Sequence, residues 1–346
     1  MRVAHFCRFA PTRSGQYGTT RDIILAEQAM GIDAGLVVTT EQPPLFYVPG
    51  LIDKSTIVNR DWAWGRDADI HVRHTAIPPR YNILEKPTVM CLHGRPENSF
   101  MLGHLGKTNI YEIVANTAMN HREAAYVTFW KEYLFHWSML IDKSILQYVP
   151  APVDLGRYCP DGDRFDWGDK NGSPNIVIAD LWREDTTPYN VMHAACYYKQ
   201  HVNPKAAIHI FGYPPQHQRS TSFLGGTLQR LGLIGHICTP VESMEQVYRA
   251  ADIVITPHRI ATRIVRESLA CGTPLVAGGP GHSPYFADPR SPEEYAAEID
   301  RCWKGIQKDS PDVLRQSCRE YAERHFDPAQ TAKGLVDIFE GMIDGK

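Results

Sequence analysis

The chain has 346 residues, 43% of them hydrophobic and 22% charged, which excludes a disordered or fibrous protein. Its formal net charge of -3 is spread so that neither half is strongly basic, which argues against a dedicated nucleic-acid-binding tail. The length exceeds what one core usually serves and suits two domains of about 150 to 180 residues each.

Short apolar runs alternate with helical patterns from the start: RVAHFC, then TTRDIILAEQAMG, then AGLVVTT, with further strand candidates in DIHVRH, PTVMCLH and AYVTF. This alternation predicts a parallel sheet wrapped by helices. A helical KEYLFHWSMLI leads into ILQYVPAPVDLGRYCPDGDRFDWGDKNGSP, where proline, glycine and aspartate collect and periodicity stops, so the domain boundary is placed there. From Asn175 the alternation resumes: NIVIA, a helix from Pro188, AAIHIF, a helix around TLQRLGL, HIC, SMEQVYRAA, DIVIT, a helix carrying Glu267, and PLVA. Three more helices follow, near Pro292 to Ile306, Pro311 to His325 and Pro328 to Ile343, each opened by a proline suited to a first helical turn.

The expected fold class is α/β, with two doubly wound, Rossmann-like domains at residues 1–152 and 153–327. A last helix, within 328–346, is expected to pack back toward the first domain. Two such sheets facing each other would set the carboxyl ends of their strands around one central cleft, where open α/β sheets bind ligands.

The eight cysteines include no C-x-x-C pair, which removes zinc-ribbon and thioredoxin readings and leaves free thiols as the expectation. The opening MRVAHFCRFAP lacks a long apolar core, and no run of about 18 apolar residues occurs, so a cytoplasmic protein without a transmembrane segment is expected.

Three segments carry a resemblance: RVAHFCRFAPTRSGQYGTTRDIILAEQAMG, YVPAPVDLGRYCP, and ADIVIT with RESLACGTPLVA. In this order they resemble the GT-B-fold glycosyltransferases of the large family 4 type, a retaining class that moves sugars from nucleotide donors. The resemblance implies an enzyme, a hexosyl- or pentosyltransferase. A nucleotide-sugar would serve as substrate rather than as a tightly bound cofactor, with the nucleotide on the second domain and the acceptor on the first. Glu267 matches the family glutamate that accepts hydrogen bonds from the ribose hydroxyls, a task that suits an ionised carboxylate. Arg263, four residues earlier on the same helix, offers the other reading, an i,i+4 ion pair.

The sequence departs from the family at two places. The usual second glutamate, eight positions before Glu267, is replaced by Arg259, and the customary Gly-Phe-Gly by Ile260-Ala261-Thr262. The usual arginine and lysine that neutralise the donor diphosphate correspond to Asp180 and Asp185. Arg183, Arg259, Arg263 and Arg266, helped by N–H groups at the start of the Glu267 helix, are candidate replacements, preferred over a divalent metal held by the acids. Asp185, close to Thr187 and Pro188, reads equally as the acid of a helix N-terminus. Asp180, at a predicted strand end, is taken with His93 as a candidate catalytic residue.

His93, in CLHGRPE at another strand end, resembles the family histidine that touches the transferred sugar. Gly15 and Gly18 in SGQYG leave room for a phosphate or sugar, with Arg13 beside them, and a plain surface loop is the alternative. His71 and His74 of HVRH are read as facing away from Arg73, with no further ligands at zinc spacing. RDWAWGRD, residues 60 to 67, either stacks on a sugar or base or packs as a loop.

The acceptor stays open among a small molecule, a growing glycan, a lipid carrier and a hydroxylated pyrimidine in DNA. Two rival readings share the fold: a degenerate nucleotide-binding protein without transferase activity, and a sugar-nucleotide epimerase.

Overall fold

The computed structural model describes residues 1–7, 15–38, 59–74, 86–94, 124–180, 189–212, 226–238, 241, 243–308 and 310–344. Its contacts divide the chain into two units, Met1–Pro152 with Phe326–Lys346, and Val153–His325.

The first unit holds β1 (Arg2–Cys7), β2 (Asp33–Val38), β3 (Asn59–Arg60), β4 (Ile70–Arg73), β5 (Thr88–Leu92), β6 (Ala124–Thr128) and β7 (Leu146–Tyr148). All pair in parallel, in the order β3-β2-β1-β4-β5-β6-β7, so the winding direction reverses at β1. Period-2 alternation sends Val3 and Cys7 to one face of β1 and Ala4 and Phe6 to the other. The first face meets Ile23 and Ile24 of α1 (Gly15–Ala29) and Leu335, Ile338 and Phe339 of the last helix, Pro328–Ile343. Thr331 of that helix also donates to the Pro150 carbonyl at 2.8 Å.

On the other face Ala4, Phe6, Val37 and Ala68 pack with Trp62 and Trp64 of α2 (Trp62–Arg66). Asp61 caps this short helix by accepting from the Trp64 amide at 2.8 Å. The guanidinium groups of Arg2 and Arg60 lie over the Trp64 ring. The aromatic segment is therefore a packed helix, not an open stacking loop.

The second unit holds β8 (Asn175–Ile178), β9 (Ala207–Ile210), β10 (Ile253–Ile255), β11 (Leu275–Ala277) and β12 (Tyr285–Phe286), again all parallel, in the order β12-β11-β10-β8-β9. β8, β9, β10 and β11 are buried along their whole length, as expected for strands covered on both faces. With α3 (Lys131–Trp137) counted in the first unit, the helices numbered here are α4 (Tyr189–His201), α5 (Met244–Ala250), α6 (Arg263–Ala270), α7 (Pro292–Lys308) and α8 (Pro311–Phe326), with a further helical run over the described residues 226–230; α9 is the last helix described above. Val191, Met192, Ala195 and Tyr198 of α4 and Tyr295, Ile299 and Cys302 of α7 close over Ile176, Ile178, Ile208 and Ile253. Each valine, isoleucine and methionine among them contributes about 1.5–3 kcal/mol when fully buried.

The irregular stretch after Val153 exposes backbone carbonyls that no ladder satisfies, and two arginines fill that role. Arg249 donates to the carbonyls of Arg157 (3.0 Å), Cys159 (2.8 Å) and Asp163 (3.2 Å). Arg319 donates to those of Leu155 (3.2 Å), Tyr158 (2.7 Å) and Ala270 (3.0 Å).

Three local expectations change. β7 lies inside ILQYVP, read from sequence as irregular, because three residues pairing with β6 are too few to leave a periodic signal. HIC contributes a single bridge, Ile237 to Ile210. α1 starts at Gly15 rather than near Thr19. None of the eight cysteines, all of which are among the described residues, forms a disulfide. Among the described residues no helix is long and apolar enough to cross a membrane, and no group of His, Cys, Asp and Glu is arranged to hold a metal.

Candidate functional site

Helix α6 carries Glu267. Thr262 stands at its N-cap with extended backbone, yet its side chain makes no capping bond and the first turn holds no acid. The orphan amides and the helix dipole give this end a preference for anions. The helix ends where Gly272 takes φ +74°, with Gly272 N donating to Leu269 O (2.9 Å) and Thr273 N to Ser268 O (2.8 Å).

Glu267 is only 6% exposed. Its Oε1 accepts from Arg263 Nε at 2.7 Å, with a second contact from the same guanidinium, and its Oε2 accepts from the Tyr248 hydroxyl at 3.2 Å. Burial, reinforced by the Glu267 charge, pushes the Tyr248 phenol well above its ordinary pKa, so Tyr248 stays a donor. The i,i+4 pair is thus formed, and an ionised carboxylate with about four lone-pair sites can accept further hydrogen bonds beside it.

The other candidate cations differ in access. Arg259 has a side chain 57% exposed that pairs with Asp288 at 3.5 Å and lies across Gly279. Arg266 is 1% exposed, an interior residue rather than a surface cation. Arg13, Arg183 and Asp185 lie outside the described residues.

Asp180, two residues beyond β8, is 4% exposed. Its Oδ2 accepts from the Thr256 hydroxyl at 3.2 Å and its Oδ1 faces His258 Nε2 at 3.1 Å. Thr256 follows β10, and its amide donates to the Tyr295 hydroxyl at 3.2 Å, while that hydroxyl lies 2.6 Å from the Val276 carbonyl. A Cβ at Gly278 would overlap the Pro257 carbonyl oxygen, and Gly278 N donates to His258 O at 2.9 Å. Asp180 therefore ties the ends of β8 and β10 together, with His258 as its neighbouring base. His258 escaped the sequence reading; the available signal was its place two residues after Thr256, on the same side of an extended segment.

In the first unit, His93 follows β5 and is the outermost of three linked imidazoles. His93 Nε2 lies 2.8 Å from His74 Nδ1, His74 Nε2 lies 3.0 Å from His5 Nδ1, and His5 Nε2 lies 2.7 Å from Glu27 Oε2. The His93 ring also packs on Phe129, with centroids 5.0 Å apart. Burial, with smaller contributions from His93 and His5, holds the His74 pKa well below its ordinary value. The Gln16 side-chain amide donates to the His74 carbonyl.

Two readings of this region are corrected. Gly15 opens α1 and Gly18 is buried in its first turn, so neither belongs to a loop. His71 shares its face with Arg73, as period 2 requires, and meets Phe6 edge-on with centroids 5.1 Å apart; His74 alone faces the other way.

Two all-parallel, doubly wound sheets of this order are the fold of the GT-B glycosyltransferases. Among solved structures, Anabaena Alr3699/HepE in complex with UDP and glucose is similar over 98% of this chain and 99% of its own, with a TM-score of 0.73 and 13% identity. A glycosyltransferase from Rickettsia africae ESF-5 is similar over 100% and 99%, with a TM-score of 0.70 and 11% identity. Sucrose-phosphate synthase from Thermosynechococcus elongatus is similar over 100% of both chains, with a TM-score of 0.69 and 13% identity. No protein-family model matches the chain, and no curated protein matches it.

Proposed function

We propose that the protein is a glycosyltransferase that moves a sugar from a nucleotide-sugar donor to an acceptor hydroxyl with retention of anomeric configuration. The observation that carries this reading is Glu267, a nearly buried carboxylate held by Tyr248 and Arg263 on a helix whose N-cap residue, Thr262, makes no side-chain capping bond. On a GT-B fold that pairing suits a nucleoside diphosphate: a carboxylate for ribose hydroxyls and the N–H groups of a helix N-terminus for phosphate. UDP and glucose in the similar Anabaena structure support the same ligand class.

In this reading the bond from the anomeric carbon to the diphosphate breaks as the acceptor oxygen bonds to the same face. The sugar passes through an oxocarbenium-like state and a donor phosphate oxygen takes the acceptor proton. The leaving charge is met by preorganised amides of α6 and by Arg259 and Arg263, in place of the arginine and lysine that the family resemblance implies. Asp180, with both oxygens engaged, acts through His258 rather than on the sugar directly. His93 orients a sugar hydroxyl.

Thermal stabilisation by a panel of nucleotide-sugars, with and without magnesium or manganese, followed by product analysis, tests this. Stabilisation with release of free nucleotide, and an unchanged anomeric configuration in any transfer product, is the expected result. Binding without turnover toward any acceptor supports the degenerate alternative instead.

A further inference from the structure

The chain of groups from Glu27 to His93 is built by the sheet itself. β1, β4 and β5 are neighbours, and on one face of each an alternating apolar series runs into a histidine: Val3 and His5, then Ile70, Val72 and His74, then Val89, Cys91 and His93. α1 covers that face, and Glu27 follows Ile23 and Ile24 by one helical turn, so its carboxylate enters the same interior. The three links, at 2.7, 3.0 and 2.8 Å, are all of hydrogen-bond length.

In each link one atom donates and the other accepts, and a neutral imidazole that accepts at one nitrogen donates at the other. Whether His5 Nδ1 donates or accepts therefore fixes the direction of the links to His74 and His93. Glu27 and His5 have fully buried side chains, and Glu27 Oε1 has no hydrogen-bond partner among the described residues. An uncompensated carboxylate in such surroundings is strongly disfavoured, so the pair holds one proton between them. Whether that proton sits on the carboxyl or on His5 Nε2, His5 Nδ1 carries hydrogen and donates to His74 Nε2. Burial keeps His74 neutral, so its single remaining hydrogen is on Nδ1 and is donated to His93 Nε2.

We infer that Glu27, His5 and His74 are positioning residues that fix the tautomer of His93, so that His93 presents an Nδ1–H donor at the carboxyl edge of the first sheet. The inference rests on the proposed transferase reading only for its consequence. An Nδ1–H donor whose Nε2 is occupied grips a sugar hydroxyl oxygen or a phosphate oxygen and does not act as a base. That agrees with the acceptor proton going to the donor phosphate.

The test is nitrogen NMR of the imidazoles in the full chain, with the His93 signals assigned by their loss in His93→Gln. Two variants break the chain at different points, Glu27→Leu and His74→Phe, both apolar replacements for buried polar groups, and circular dichroism confirms their folding. The expected result is an Nδ1-protonated His93 in the native protein that shifts toward the Nε2-protonated form preferred by free imidazole in both variants. In a transferase assay the same variants lower kcat by roughly tenfold, the range for outer partners that orient a histidine, with donor KM unchanged. Identical His93 shifts in the native protein and both variants, or a native His93 protonated on Nε2, overturn the relay. The tautomer change without transfer from any donor leaves the relay standing and removes the transferase reading; transfer with an insensitive tautomer removes the relay alone.

Discussion

Replacing Glu267 by glutamine separates the two roles its geometry offers. The amide keeps the size and can still accept from Tyr248, but it removes the charge that faces Arg263 at 2.7 Å. The side chains of Glu267 and Arg263 are 7% and 16% exposed, so this is a largely desolvated pair. Its loss should cost about 1–3 kcal/mol, below the 3–5 kcal/mol of a fully buried pair because Arg263 can turn toward solvent. If the carboxylate also receives ribose hydroxyls, losing charged hydrogen bonds worth about 1.5–3 kcal/mol weakens nucleotide binding by roughly 10- to 150-fold. Calorimetric titration with UDP, GDP, ADP and their dideoxy counterparts reads this directly. The dideoxy ligand should bind the native protein as weakly as the ordinary one binds Glu267→Gln, and the variant should not distinguish the two. A folded Glu267→Gln variant that keeps native affinity for every nucleotide refutes ribose binding and leaves only the ion pair.

Other outcomes follow from the second unit. His209 is stacked on Trp167 at 4.1 Å, faces Asn175 Oδ1 through Nε2 at 3.2 Å and accepts from the His236 amide through Nδ1 at 3.4 Å, and burial depresses its pKa to about 3. The folded state therefore binds fewer protons than the unfolded one between pH 6.5 and about 3, so stability falls as pH drops through that window, by about 2 kcal/mol at pH 5. Urea unfolding of His209→Gln across this range should show a flatter acid limb, and an unchanged slope excludes His209 as its source. Asp180→Ala leaves the Thr256 hydroxyl and His258 without their acceptor and should lower the urea-derived unfolding free energy by about 2–4 kcal/mol; a change within error would mean that both regain partners. Gly278→Ala drives a methyl group into the Pro257 carbonyl and should destabilise by about 3 kcal/mol or more. In thiol titration of the native protein, buried Cys91, Cys196, Cys271 and Cys302, all with raised pKa, should stay unmodified until urea unfolds the chain.

The α/β architecture was legible because strands buried on both faces must be continuous apolar runs, as IVI of β10 and LVA of β11 are, and helices between them must be periodic. The start of α1 was not, since Gly15 and Gly18 have poor helix propensity and read as punctuation, whereas burial of Tyr17 and Gly18 against the sheet holds that turn helical. Glu267 and Arg263 were visible as a pair because their partnership is local, four residues along one helix. The histidine chain was not, because its links join positions 22, 69 and 19 residues apart, and only strand order brings them together. Asp180 was legible as the end of a strand, but its pairing with His258, 78 residues away, was hidden for the same reason.

Incubation of the purified protein with UDP-, GDP-, ADP- and dTDP-sugars, with chromatographic detection of free nucleotide, bears most directly on the claim that this fold binds and spends a nucleotide-sugar. Stabilisation by one nucleotide class, with slow nucleotide release that is lost in Glu267→Gln, is the predicted result. The absence of both stabilisation and release across the whole panel would contradict it.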